Sequence, residues 1–265
     1  MKKIILLFLV LSLYSCEDVV DVDLKESAPR LVIEASLLWN ADRKQNAQVI
    51  KLTTTAPFFQ DEVPPAIGAS VWIITETGRE FIFEEVEDGI FRYENFPLLP
   101  NVEHQLLITY NNELYTATEK LVPVPQLDFV EQEIGGFSGD EYEFKVYYRD
   151  PADMRNYYLF RYINERVSLQ IYDDEFTDGN RTFAFFNDED ARSGDIVMFE
   201  IQGITRGFYD YMFILRSQSG SSNGGPFRTQ PSIVRGNIVN TTNPENFPFG
   251  YFRMSTINHL VYEVE

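Results

Sequence analysis

The side chains able to do acid–base, nucleophilic or metal chemistry are few in kind: two histidines, one cysteine and 41 carboxylates. His104 and His259 fall far apart in segments that read as strands. Without a cysteine beyond position 16, the usual nitrogen and sulfur set for structural zinc cannot be assembled. Both histidines read as ordinary sheet residues. Two stretches are rich in oxygen ligands: Asp173-Asp174-Glu175 with Asp178-Gly179-Asn180, and Asn187-Asp188-Glu189-Asp190. Calcium takes about six to eight oxygens, so Asp173, Asp174 and Asp178 are where it would be sought. Neither stretch has the alternating acids, glycine and late glutamate of an EF-hand loop, and no metal is assigned. With so many carboxylates, pairs close enough for glycoside hydrolysis arise by chance. A serine stands between glycines in Gly220-Ser221-Ser222-Asn223-Gly224. It follows a helical segment, however, whereas a nucleophile elbow needs a strand-to-helix turn. Gly224-Gly225-Pro226 lacks the lysine and hydroxyl residue that complete a phosphate loop. No catalytic residue and no cofactor are expected.

Cys16 carries chemistry of another kind. Ahead of it stand Met1-Lys2-Lys3, the apolar run from Ile4 to Leu13, and Tyr14-Ser15. The run is about ten residues, and a spanning helix needs roughly twenty. Residues 1–15 therefore read as a cleaved signal peptide. Leu13 and Ser15 fit the lipobox pattern, which makes Cys16 the acylated first residue of the mature chain. Each buried CH2 contributes about 0.8 kcal/mol, so two or three acyl chains anchor stably where one would not. Residues 16–29 form an acidic tether. Glu17, Asp18, Asp21 and Asp23 resemble the surface-export signal of Bacteroidota lipoproteins, which implies a location on the outer membrane facing the medium.

The formal charge of the whole chain is −19. Without Lys2 and Lys3 the balance is 20 basic against 41 acidic residues, a formal −21. Nucleic acid is excluded as a partner, because its binding is dominated by cationic contacts to phosphate. The same charge disfavours anionic lipid, so attachment must come from the anchor. A lone cysteine allows no internal disulfide, and stability must come from hydrophobic cores. The 22 Phe and 15 Tyr suit strands and sheet cores.

The elements that must position these groups are mainly β. Arg30–Leu38, Gln48–Thr53, Ala69–Ile74, Glu80–Glu84, Ile90–Tyr93, His104–Tyr110 and Glu113–Lys120 read as strands. Gly78, Asp88-Gly89 and Asn111-Asn112 mark the turns between them. That spacing predicts an immunoglobulin-like β-sandwich over 30–122. Val122-Pro123-Val124-Pro125 predicts a stiff linker over 123–126. A second β-rich domain is expected over 127–265. Its strands are read at Glu141–Tyr148, Asn156–Ile163, Val167–Tyr172, Arg181–Phe186 and Asp195–Ile204, with two closing strands at Gly250–Ile257 and Leu260–Val264. It carries one amphipathic helix near 206–219. There Phe208, Tyr211, Met212 and Leu215 share a face, Thr205 is the N-cap and Gly220 the residue ending it.

Four pieces occur in order: Cys16-Glu17-Asp18 with its tether, Pro29-Arg30-Leu31-Val32-Ile33-Glu34, Gly203 to Leu215 with Tyr209-Asp210-Tyr211, and Asn223-Gly224-Gly225-Pro226-Phe227 followed by Gly250-Tyr251-Phe252. This set resembles the Bacteroidota outer-membrane lipoproteins grouped as domain of unknown function four-two-four-nine. Members of that family are commonly encoded beside TonB-dependent receptors. The resemblance implies an accessory role in uptake and supplies no catalytic residues.

The expected function is a surface-exposed, lipid-anchored, non-enzymatic protein that binds a TonB-dependent transporter or its ligand. The alternatives are a carboxylate- or calcium-dependent glycan hydrolase and a structural or adhesin component of a cell-surface machine. Partner contact is expected at Gly224, Gly225, Pro226 and Phe227, and at Phe247, Phe249 and Tyr251, where glycine or proline meets aromatics outside regular strands. Phe58-Phe59 near Pro64-Pro65 is a lesser aromatic candidate.

Overall fold

The computed structural model describes residues 28–40, 46–57, 60, 62–135, 141–219 and 232–265. These fold into fifteen strands and one helix. The fold is mainly β and sandwich-like, as the alternating strand patterns require.

The first sandwich begins with β1 (Leu31–Asn40), β2 (Gln48–Thr54), β3 (Ser70–Thr75), β4 (Glu80–Glu87) and β5 (Ile90–Tyr93). It continues through β6 (Glu103–Tyr110) and β7 (Glu113–Lys120). Alternation in β1 puts Leu31, Ile33, Ala35 and Leu37 inside and turns Glu34 and Ser36 out. β4 serves both layers. Its first half pairs with β3 and its second half with β5, across a bulge between Glu85 and Glu87. A bulge bends a strand and steepens its twist, which lets one strand turn the corner between sheets. Asn111 and Asn112 join β6 to β7 with φ of 51° and 62°. Positive φ at both central residues is the hairpin geometry that follows strand twist, and asparagine tolerates it. The interior is packed with Ile33, Leu37, Ile50, Leu52, Ile73, Leu106 and Ile108, with Trp39, Phe81 and Phe96 closing one end.

The second sandwich has a three-stranded sheet in the order β12–β9–β8, from β8 (Leu127–Gly135), β9 (Glu141–Arg149) and β12 (Arg181–Asp188). Facing it are β10 (Tyr157–Ile163), β11 (Val167–Asp173) and β13 (Ile196–Gly203). β8 has no counterpart among the sequence-expected strands. Its outer face carries Asp128, Glu131 and Glu133, which masks the apolar pattern. The core between these sheets is aromatic: Phe144, Tyr148, Tyr158, Phe160, Tyr162, Phe186 and Phe199.

The two sandwiches are joined by β15 (Phe249–Glu263), a single fifteen-residue strand. Residues Phe249–Ile257 run parallel to β1, and Ile257–Glu263 run antiparallel to β13. Two closing strands were expected here. Asn258 and His259 do not break the chain, because each finds a partner inside the sheet: Asn258 Oδ1 accepts from Leu127 N at 2.8 Å, and His259 Nδ1 lies 2.9 Å from Asn40 Nδ2. The sequence assigned all of 127–265 to the second domain. The structure instead packs Ile238, Phe252 and Met254 into the first core, and β14 (Val239–Asn240) pairs with β7. The physical reason is that the first sandwich needs β15 as the neighbour of β1. The segment 123–126 is not free of the two bodies. Val122 bridges Ser255, and a Cβ at Gly203 would run into the Pro123 carbonyl. Gly250 makes the β1–β15 approach possible, since at φ +96° a side chain there would run into the Ile33 carbonyl.

Helix α1 (Arg206–Ser219) lies on the outer side of β10 and β11. Thr205 caps it, its Oγ1 accepting from Phe208 N at 3.3 Å. Phe208 is buried against Leu159 and Ile204, and Tyr211 and Met212 pack at its side. The expected terminator, Gly220, lies outside the described residues.

Candidate functional site

A row of partly exposed rings lies on the outer face of the β12–β9–β8 sheet. Register places Phe129, Tyr147 and Phe183 side by side across its three strands. Phe129 stacks on Tyr147 at 4.6 Å and 17°, and Tyr147 meets Phe183 at 5.4 Å. Phe129, Phe183 and Phe185 are between 37% and 39% exposed, a large solvent-facing area for phenylalanine in a sheet. Arg181 lies over Phe129 at 5.8 Å and pairs with Asp128 at 3.1 Å. Sequence reasoning missed this row. The signal was there in Arg181-Thr182-Phe183-Ala184-Phe185-Phe186, where rings occupy both alternating faces of one strand. A half-buried strand should be apolar on one face only.

Along the strands the face turns acidic. Glu131 lies opposite Lys145, and Glu133 opposite Glu143. Tyr147 donates to Glu131 at 2.7 Å, which raises the phenol's pKa above its ordinary value, and Lys145 donates to Glu133 at 3.1 Å. Asn187 donates to Glu141 at 2.8 Å. Beyond them opens a groove of about 440 Å³ lined by Glu141, Tyr162, Arg166, Asn187, Asp188 and Asp190, among others.

The structure brings Asp174 and Asp178 together with Asp150, their oxygens within 4.8 Å of one another. Asp173 stands apart from that cluster and pairs with Arg155 at 3.6 Å. Asp150 and Asp174 are buried. Asp150 and Asp174 are met by protein donors. Asp150 accepts from Tyr158 OH at 2.6 Å and Gly179 N at 3.3 Å. Asp174 Oδ2 accepts from Asn156 N at 2.7 Å. Asp174 Oδ1 accepts no hydrogen bond of good geometry, yet Arg155 Nε is 3.1 Å away and supplies a countercharge. Burial pushes the Asp150 carboxyl above the ordinary range, with the neighbouring Asp174 and Asp178 adding to it. Gly179 N donating to Asp150, and Asp150 N donating to the Asn180 carbonyl, fasten the 173–180 turn to the end of β9. In the other acidic stretch Asp188 accepts from Tyr162 OH, Asn164 Nδ2 and the backbone of Asp190 and Ala191. Burial alone would raise its carboxyl; these four donors outweigh that and hold it below the ordinary value.

Phe247, Phe249 and Tyr251 do come near one another in sequence order, but two of them are taken up within the fold. Phe247 is held between the guanidinium groups of Arg30 and Arg235, at 3.9 and 3.6 Å, and touches Phe249 edge-on at 5.7 Å. Tyr251 packs on Phe208 and Tyr211 of α1, and burial pushes its hydroxyl up to about 12. His104 is fully buried beside Phe96, its Nδ1 2.9 Å from the Val102 carbonyl, and burial lowers its pKa. The expected sites at Cys16, Glu17, Asp18, Asp21 and Asp23, at Phe58-Phe59, and at Gly224, Gly225, Pro226 and Phe227 lie outside the described residues. No helix among the described residues is long and apolar enough to cross a membrane.

Two β-sandwiches sharing a strand, one of them with an open aromatic and acidic sheet face, define a β-sandwich protein. Among solved structures it is similar to a two fibronectin type-III domain segment from chicken tenascin. Identity is 10%, with 59% of this chain and 84% of that one covered at a TM-score of 0.22. It is also similar to the chicken CNTN1 FN1–FN3 domains, at 11% identity, 60% and 56% coverage and a TM-score of 0.21. No curated protein matches the chain. A family model described as Domain of unknown function (DUF4249) matches residues 17–259, and the chain belongs to that family.

Proposed function

We propose that the protein is a non-enzymatic accessory of the bacterial outer membrane, anchored through acylated Cys16 and facing the medium. It captures a polypeptide partner there, a TonB-dependent receptor or the ligand that receptor imports. The observation carrying this reading is the exposed row Phe129–Tyr147–Phe183. Aromatic residues on a flat, solvent-facing sheet are the kind of anchor that protein interfaces concentrate. The leader and the acidic tether of the sequence support the anchored, outward-facing placement, and the chain's resemblance to Bacteroidota lipoproteins commonly encoded beside TonB-dependent receptors supports the choice of receptor.

The test is co-purification of the full chain from detergent-solubilised outer membranes. A TonB-dependent receptor should be recovered with the wild type. Recovery should fall about tenfold or more with Tyr147→Ser/Phe183→Ser, the loss expected when central anchors are truncated. Recovery of the chain without any receptor would sink the proposal. Cys16→Ala should move the folded protein out of the membrane fraction; persistence there after a high-salt wash would refute the anchor.

A further inference from the structure

Resting on that reading, we infer that the partner segment is cationic as well as apolar. It lies extended along the β12–β9–β8 sheet, with an apolar side chain on the ring row and lysine or arginine side chains toward the groove.

Three observations carry this. First, the ring row and the acidic patch share one face in fixed register. From Tyr147 to Glu143 along β9 is four residues, and at roughly 3.3 Å per residue they lie about 13 Å apart. An extended segment has the same repeat, so its residues i and i+4 would meet the two zones together. Second, the charge is one-sided. Glu131, Glu133, Glu141 and Glu143 gather there around Lys145, while Arg149 stands at the opposite end of β9 beyond Tyr147, and the adjoining groove adds Asp188 and Asp190 against Arg166. Within a Debye length of about 10 Å such a patch favours cations over anions. Third, the rings are not laid flat. Phe129 and Tyr147 stack face to face at 17°, so their edges point outward. A sugar ring stacks on an exposed aromatic face, whereas the edges and the gaps between rings suit aliphatic or aromatic side chains of a polypeptide.

The probe is a synthetic, fluorescently labelled heptapeptide, Phe-Ser-Thr-Ser-Lys-Thr-Lys, titrated onto the full chain in detergent. Binding is expected, weakening as ionic strength rises. It should fall about tenfold or more with Glu133→Lys/Glu143→Lys, and by less with Glu133→Gln/Glu143→Gln, which guards against a reversal variant that misfolds. Tyr147→Ser should also weaken it. Replacing both peptide lysines by glutamate should abolish it. The inference is overturned if the peptide does not bind the wild type, if the glutamate peptide binds as well, or if maltohexaose binds the face instead. The receptor co-purification separates the two claims. Recovery lost with Tyr147→Ser/Phe183→Ser but kept with the charge variants leaves the docking face standing and refutes only its cationic partner. Recovery kept with both sets refutes the docking face as well.

Discussion

The two sandwiches have similar layering and different interiors. The first is filled by branched aliphatics, with Trp39, Phe81 and Phe96 at one end. The second is filled by rings that touch in a chain: Phe144 with Tyr162 and Phe199 at 5.5 and 5.6 Å, and Tyr148 with Phe160 at 5.2 Å. Several of those rings are tyrosines, and a buried hydroxyl must find a partner. Tyr158 reaches Asp150 and Tyr162 reaches Asp188, each at the rim of the sandwich. Both tyrosines are held well above the ordinary phenol pKa by burial and then by these carboxylates. An aromatic core of this kind therefore brings acidic loops with it. The two oxygen-rich stretches of the sequence, at 173–180 and 187–190, each lie beside such a tyrosine–carboxylate pair. Among the described residues the first sandwich has a comparable device, Tyr115 donating to Glu113 at 2.7 Å, and there Asn240, Asn243 and Asn246 share the carboxylate.

The contrast can be broken by experiment, beginning with the largest effect. Phe144→Ala removes a ring at the centre of the second core and should cost about 3–5 kcal/mol, read by denaturant unfolding. Because β15 belongs to both sandwiches, the loss should appear in one cooperative transition; two separated transitions would show that the shared strand does not couple them. Next come the hydroxyls. Tyr158→Phe leaves the buried Asp150 with one weak backbone donor and should cost about 1–3 kcal/mol. Tyr115→Phe should cost less, about 0.5–1 kcal/mol, since three asparagines still serve Glu113. Equal losses would erase the difference drawn between the two rims.

A smaller effect belongs to the first sandwich alone. Glu119 accepts from Asn237 at 2.8 Å, and Asn237 also clamps Phe252 of β15 through both backbone groups. Burial raises the Glu119 carboxyl to about 7, against an ordinary 4.5. Between those values the folded chain holds a proton that the unfolded chain has released. Glu119's contribution to stability therefore declines as pH rises through that window and levels off above about 7. Glu119→Gln should remove this slope, so the variant gains on the wild type from acid toward neutral pH in thermal melts. A constant difference across that range would refute it. Smallest is Thr205→Ala, which loses the α1 cap and should cost about 1 kcal/mol, visible as a lower melting midpoint without a change in receptor recovery.

Much of the fold was readable because alternation is a local property. β2, β9 and β12 announce themselves, and so does the asparagine turn after β6. Thr205 and the apolar stripe of Phe208, Tyr211 and Met212 place α1 almost to the residue. The candidate face was less readable. Phe183 and Phe185 look like core residues in a list of rings, and only strand pairing shows that Phe129 and Tyr147 lie beside them. The segment from Phe247 to Tyr251 reads as a surface loop because proline and glycine punctuate it. Arg30 and Arg235, brought in from distant parts of the chain, turn Phe247 into a packed residue.

By itself the sequence determined the β class, the acidic balance and the amphipathic helix, and it raised the expectation of a leader ending at an acylated Cys16. These depend on composition and on spacings of a few residues. Only the tertiary structure decided that β15 runs through both sandwiches, that Asp150 joins Asp174 and Asp178, and that an aromatic row and an acidic patch share one face. Each of these joins residues far apart along the chain, through pairing register and burial that no local pattern encodes.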